Sequence, residues 1–235
     1  MNNYKLTILI PVIDEKDSLR KTLEILFKEN QKHIKKILFL CHKTKTTHES
    51  LSTCNDYVSK NKEIFKIIFQ NKKNVGGAFI DSFEHIDTTH TVMMSSDLET
   101  DPSTVKYMIK ESMKNTNFII STTRWGKKSH IKDYGFIKTL LNYIFQKFFS
   151  KLFKTELTDL TFGFRLYPSK ILKEIEWQML NHSFFFESII RPLSYGYKSI
   201  EVDTSWDKRI EGNSNNSLLF YYSYFKIAFL IYFKL

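Results

Sequence analysis

The chain has 235 residues, 42% of them hydrophobic, and no Pro/Gly/Ser-rich linker, which favours one large α/β domain with a sizeable core over two small ones. Its two cysteines, Cys41 and Cys54, exclude a disulfide framework and have no metal-site spacing, so a reducing cytoplasm fits. The net charge of +10 calls for an anionic partner: nucleic acid, an anionic membrane surface or a phosphorylated substrate.

The N-terminus carries no signal-peptide pattern and leads directly into Leu6-Thr-Ile-Leu-Ile-Pro-Val-Ile13, an apolar, β-branched run that predicts a strand. An acidic loop, Asp14-Glu15-Lys-Asp17, follows, and Leu19, Leu23, Leu26 and Phe27 then recur at helical spacing. The theme repeats with Ile37-Leu-Phe-Leu-Cys41 and a helix from Thr46, then Ile64 to Phe69, Asn74-Val-Gly-Gly-Ala78 and a helix through His85. A fourth strand precedes Ser95, and Phe118 to Arg124 reads as a fifth. Such alternation predicts a mostly parallel sheet with right-handed crossovers.

The fourth strand stops at Ser95-Ser-Asp-Leu-Glu99, and Asp101-Pro102 then reads as a helix start. This puts carboxylates at the carboxyl edge of a sheet, where open α/β folds bind ligands. Asp97 and Glu99, one residue apart in a non-helical turn, can converge on Mg²⁺ or Mn²⁺, or can simply be the acids that favour a helix start. Gly76 and Gly77 open a helix, so either their backbone N–H groups approach a phosphate or they serve a tight turn.

From Tyr134 to Phe153, apolar residues at helical spacing are interrupted by Lys138, Lys147 and Lys151. This is a core helix or one that lies in a membrane interface. Asp159 and Arg165 form either an internal pair or an acid beside a phosphate-binding base. Glu187 follows three phenylalanines, so it is a candidate base or a buried carboxylate paired with Arg191 four residues on. After a last strand, Ser199 to Asp203, a polar loop runs from Trp206 to Ser214. Leu218 to Leu235 is almost wholly aromatic and aliphatic, with Lys226 and Lys234; it reads as a membrane-interfacial tail or as one packed on the core or a partner. The pattern thus divides into an α/β unit over 1–216 and an aromatic segment over 217–235. The lysines lie in amphipathic stretches and no recognition motif appears, so the partner is a membrane surface and not nucleic acid.

Six segments in order resemble the family 2 glycosyltransferases of GT-A fold, especially the branch similar to dolichyl- or polyprenyl-phosphate sugar synthases. They are Ile10-Pro-Val-Ile-Asp-Glu15, Asn74-Val-Gly-Gly-Ala78, Ser95-Ser-Asp-Leu-Glu99, Thr122-Thr-Arg-Trp125, Asp159-Leu-Thr-Phe-Gly-Phe-Arg165 and Arg209-Ile-Glu-Gly-Asn-Ser214. The resemblance implies a nucleotide-diphosphate sugar donor held by Pro11, Val12, Asp14, Glu15, Gly76, Gly77, Ser95, Ser96, Asp97 and Arg124. It further implies a metal on Asp97 and Glu99, and phosphates of donor or acceptor near Arg165, Arg209 and Ser214. Transfer would proceed with inversion to a lipid-phosphate or glycan acceptor at the cytoplasmic face of the membrane, with Glu187 or Asp159 as base for a sugar hydroxyl.

Three positions depart from the family pattern: Ser95 stands for the first metal-motif aspartate, Cys41-His-Lys-Thr44 for an Asp-Asp-Gly-Ser turn, and Asn215 for a lysine. They favour a rival expectation, a non-catalytic relative that binds nucleotide sugar or lipid.

Overall fold

The computed structural model describes residues 4–127, 129, 136–207, 211 and 219–233. A seven-stranded sheet forms from β1 (Leu6–Val12), β2 (Ile34–Cys41), β3 (Phe65–Phe69), β4 (His90–Met93), β5 (Ile119–Thr123), β6 (Arg165–Pro168) and β7 (Ser199–Asp203). The helices are α1 (Asp17–Asn30), α2 (His48–Lys60), α3 (Asn74–Ser82), α4 (Val105–Lys114), α5 (Phe136–Leu152), α6 (Ser169–Glu174), α7 (Ser183–Ser194) and α8 (Leu219–Tyr232). Strand order is β3-β2-β1-β4-β6-β5-β7.

β1 pairs in parallel with both β2 and β4, through registers such as Ile10 to Phe39 and Leu9 to Met93. Side chains alternate across a strand, so Leu9 joins one core cluster while Ile8 and Ile10 join the other. One cluster packs under α3, α7 and α8, the other under α1, α2 and α4. With both faces covered, the strands read as continuous apolar runs, which is why they were visible in the sequence.

The mostly parallel expectation holds with one exception that the sequence did not reveal. β6 runs antiparallel to both β4 and β5 and lies between them. Its four residues, Arg165 to Pro168, are too few to show a period and begin on an arginine. The sequence does not distinguish α7 either, since its triple phenylalanine matches a buried strand as well as a helix.

Helix starts follow local chemistry. Asp101 accepts the Ser103 amide at 2.9 Å with Pro102 at the first position, so the chain enters α4 through a 3₁₀ turn. α8 does not hang free: Ile227, Ala228 and Ile231 are buried in the core cluster that includes α7.

Candidate active site

A cleft of about 780 Å³ opens beyond the carboxyl ends of β1 and β4. Pro11, Asp14, Glu15, Ser95, Asp97, Glu99 and Arg124 line one part, and Asn142, Phe145, Thr161, Phe162, Asn181, His182 and Tyr224 line another. Parallel strands end here with their helices on the sheet faces, so this edge is left open. Val12 and Ser96 lie beneath the surface; the Val12 carbonyl accepts from Thr46 Oγ1 at 2.7 Å.

The turn after β4 is a folded carboxylate device. Asp97 Oδ1 accepts the Ser95 hydroxyl at 2.8 Å and the Glu99 amide at 3.1 Å. Leu98 takes φ +59°, the left-handed region, which lets the chain reverse between the two acids. Ser95 therefore does not merely leave a gap where a third carboxylate would stand: it orients Asp97. No three His, Cys, Asp or Glu side chains gather to enclose an ion among the described residues. Two cleft carboxylates do suit a Mg²⁺-like ion, which keeps waters and takes substrate phosphate oxygens for the rest of its shell.

Glu15 folds back to accept the amides of Ile13 at 2.7 Å and Asp14 at 3.1 Å. Burial pushes its carboxyl above the ordinary value. The amide hydrogen bonds oppose this, and the nearby charges of Asp14 and Asp97 add to it. The cleft floor is thus a concentration of negative charge that a cation would relieve.

Arg124 is committed to Asp159. Its Nε donates to Oδ2 at 2.7 Å and its Nη2 to Oδ1 at 3.0 Å, while its guanidinium lies 4.6 Å from the centre of the Phe162 ring. Of the two alternatives for Asp159 and Arg165, the internal side-chain pair does not form: Arg165 reaches only the Asp159 backbone carbonyl, at 3.5 Å. Arg165 is wholly buried, donating to Ser121 Oγ, Ser188 Oγ and the carbonyls of Leu160 and Phe185. A side chain spent in this way ties β6 to β5 and α7 and does not face a phosphate.

Glu187 likewise sits outside the cleft. Its carboxylate accepts the amides of Gln178 and Met179 and pairs with Arg191 Nε at 2.8 Å, the structural alternative to a base. Gly76 and Gly77 are packing glycines. A Cβ on Gly76 would stand 2.7 Å from the Met179 carbonyl oxygen and the Phe184 Cβ, and one on Gly77 would strike Lys72. The Gly77 amide donates to the Leu180 carbonyl at 3.2 Å, so it is not turned to a phosphate. Arg209 and Ser214 lie outside the described residues.

Two cleft side chains escaped the sequence reading. Gln70 donates Nε2 to the carbonyls of Lys72 and Asn74, and His42 Nδ1 accepts the amides of Thr44 and Lys45. Both line the cleft where the Asp-Asp-Gly-Ser turn was missing. Glu211, which is not among the cleft-lining residues, was not singled out either; its carboxylate accepts the amides of Lys16, Asp17 and Ser18 at the start of α1.

Sheet order, edge cleft and acidic turn together define a nucleotide-sugar transferase architecture of the GT-A type. The model of glycosyl transferase family 2 matches residues 7–176, well over half of the chain, and the chain belongs to that family. Among solved structures it is similar to glucosyl-3-phosphoglycerate synthase from Mycobacterium tuberculosis with Mn²⁺, uridine diphosphate and phosphoglyceric acid. The TM-score is 0.72 at 8% identity, covering 98% of this chain and 78% of that one. The same enzyme with Mg²⁺ and uridine diphosphate gives 0.71 at 9% identity, covering 98% and 79%. A further mycobacterial protein gives 0.69 at 10% identity, covering 92% and 69%. At such identities the likeness is one of fold.

Proposed function

We propose that this glycosyltransferase moves a sugar, with inversion, from a nucleoside-diphosphate sugar to a lipid-phosphate acceptor at the cytoplasmic membrane surface. The observation that carries the donor half is the convergence of Asp14, Glu15, Asp97 and Glu99 on one cleft at the carboxyl ends of β1 and β4. Asp97 and Glu99 would hold Mg²⁺ or Mn²⁺, as supported by the similar enzyme's structures with these ions and uridine diphosphate. When bound, the ion neutralises charge that develops on the departing diphosphate. Ser95 keeps Asp97 turned for this task. In the transfer an acceptor oxygen bonds to the anomeric carbon as the bond from that carbon to the β-phosphate oxygen breaks, and the electron pair leaves with the nucleoside diphosphate.

For the acceptor, chemistry favours a phosphate over a glycan. A phosphate oxygen is already an anionic nucleophile, whereas a sugar hydroxyl needs a base. Of the two nominated bases, Asp159 is held by Arg124 and Glu187 by Arg191 and two amides. The membrane half rests on α5 and α8. Leu141, Ile144 and Phe148 on α5 and Phe225, Phe229 and Tyr232 on α8 are exposed, with Lys147, Lys151 and Lys226 beside them. Apolar rings among cations match an anionic lipid surface, on which the helices would lie in plane. No described helix is long and apolar enough to cross a membrane.

The test is a thermal-shift screen against UDP, GDP, CDP and TDP with and without Mn²⁺, repeated on Asp97→Ala. A ligand at a hundredfold excess over its dissociation constant adds about 2.7 kcal/mol. The expected result is a metal-dependent shift with one nucleotide, lost in the variant. No shift with any of them would make the non-catalytic relative the better reading.

A further inference from the structure

The sheet order sets the carboxyl ends of β4, β1, β2 and β3 side by side. The acids of the cleft follow β4 and β1, while His42 and Lys45 after β2 and Gln70 after β3 line its far end. Neighbouring strands stand about 4.8 Å apart, so that end lies roughly 10 Å from the turn of Asp97 and Glu99. A diphosphate held at the turn would place its nucleoside there, since the opposite end adjoins α5 and α8, which face the acceptor in the reading above.

Two polar side chains at this end have a fixed hydrogen-bond polarity. The His42 backbone is spent: its amide donates to Thr46 Oγ1 at 2.8 Å, and its carbonyl accepts the Thr46 amide at 3.2 Å. The ring Nδ1 accepts the amides of Thr44 at 3.1 Å and Lys45 at 3.3 Å. A backbone amide can only donate, so Nδ1 carries no proton and the neutral ring carries it on Nε2. Among the described residues nothing accepts from that nitrogen. Gln70 spends Nε2 on the carbonyls of Lys72 at 2.8 Å and Asn74 at 3.2 Å, so its amide cannot flip and Oε1 stays an acceptor. This end of the cleft therefore offers one N–H donor and one C=O acceptor, and the two cannot exchange roles.

We propose that His42 is a specificity-determining residue that selects a uracil-type base over cytosine. Its Nε2–H donates to the C4 carbonyl oxygen of the base, and Gln70 Oε1 accepts from the base N3–H. Cytosine in the same pose turns both groups round: its amino group would meet the His42 N–H, and its bare N3 would meet the Gln70 oxygen. Such contacts leave desolvated polar groups unpaired, which costs more than a contact merely absent. The inference rests on the donor half of the transfer reading and goes beyond the resemblance, in which an acid stands at this turn. A carboxylate only accepts, so a histidine there reverses which base edge is read.

The test is titration of UDP and CDP, each with Mn²⁺, into full-length protein and two variants, with melting temperatures measured alongside. His42→Asn sets an amide oxygen in place of Nδ1, as in an Asx turn, and removes the donor to the cleft. It should melt with wild type, and its UDP affinity should fall on the order of tenfold while CDP changes little. His42→Gln sets an N–H near the place of Nε2 without an acceptor for the two amides, so it should melt lower yet keep the preference for UDP. A histidine that only braced the turn would give the reverse pattern. Equal affinity of wild type for UDP and CDP, or an unchanged UDP-to-CDP ratio in His42→Asn, would overturn the proposal and leave the donor reading in place. Wild type that binds neither overturns it as well, and the screen of four nucleotides above then decides the donor reading.

Discussion

Arg124 and Asp159 meet through two parallel N–H···O bonds of 2.7 and 3.0 Å, and Asp159 is completely buried. The pair joins the end of β5 to the loop before β6, and Gln146 of α5 reaches the same loop by accepting the Leu160 amide at 2.7 Å. Removing one partner strands the other charge, so Asp159→Ala should cost about 3–5 kcal/mol in urea denaturation. Arg124→Lys keeps the charge but loses the fork and should fall between wild type and Asp159→Ala. A loss in Asp159→Ala no larger than that of an exposed substitution would show the pair to be dispensable.

Glu15 gives a pH signature. Its folded value lies above the ordinary 4.5, so the folded chain holds this proton more firmly than the unfolded chain does. Its contribution to stability is complete below the unfolded value and is lost as pH rises through the folded one. Glu15→Gln keeps an acceptor for the Ile13 amide and removes the charge. Its stability relative to wild type should therefore improve from pH 4 to pH 7, measured as urea midpoints. A constant difference between the two pH values would contradict the assignment.

Ser95→Asp tests the acidic turn. The new carboxylate would replace a hydroxyl that donates to Asp97 Oδ1 at 2.8 Å, setting like charges together. The metal-free variant should melt below wild type, and Mn²⁺ should bind on the order of tenfold tighter, about 1.4 kcal/mol. Isothermal titration and melting curves with and without Mn²⁺ read both effects. Unchanged Mn²⁺ affinity would mean that position 95 does not face the ion.

Gly76→Ala addresses the junction between α3 and α7. The added methyl would overlap the Met179 carbonyl oxygen and Phe184 Cβ, so overpacking of about 1–3 kcal/mol is expected in thermal or urea unfolding. A phosphate-binding glycine would instead lose nucleotide affinity with stability unchanged.

For the membrane surface, point substitution is cleaner than removal of the tail. Deleting 218–235 would take Ile227, Ala228 and Ile231 out of the core, confusing folding with lipid binding. Serine at Leu141, Phe148 and Phe229, each more than half exposed, leaves that inward face intact. Each buried apolar side chain is worth about 1.5–3 kcal/mol, so the triple variant should sediment far less with anionic phospholipid vesicles while its melting temperature barely moves. Equal sedimentation would remove the membrane from the reading.

Much of this protein was written locally. Leu6 to Val12 and Ile37 to Cys41 are apolar on both faces because both faces of the sheet are covered, and that needs no knowledge of distant partners. The turn at Asp97 and Glu99 follows from an apolar run that stops at acids, and the i, i+4 spacing of Glu187 and Arg191 already marked a structural pair. Tertiary structure decided which charges remain for chemistry. Arg165 and Asp159 look alike in sequence whether they bind a phosphate or each other, and only the placement of β6 between β4 and β5 buries Arg165 and leaves Asp159 to Arg124. Glu211 lies 193 residues from Ser18, so no window of sequence could join them. The sequence by itself set the parallel strands, their carboxyl edge and the kind of side chains found there. The fold set their partners, because a carboxylate's role depends on the donors that surround it and on how far it is taken out of water.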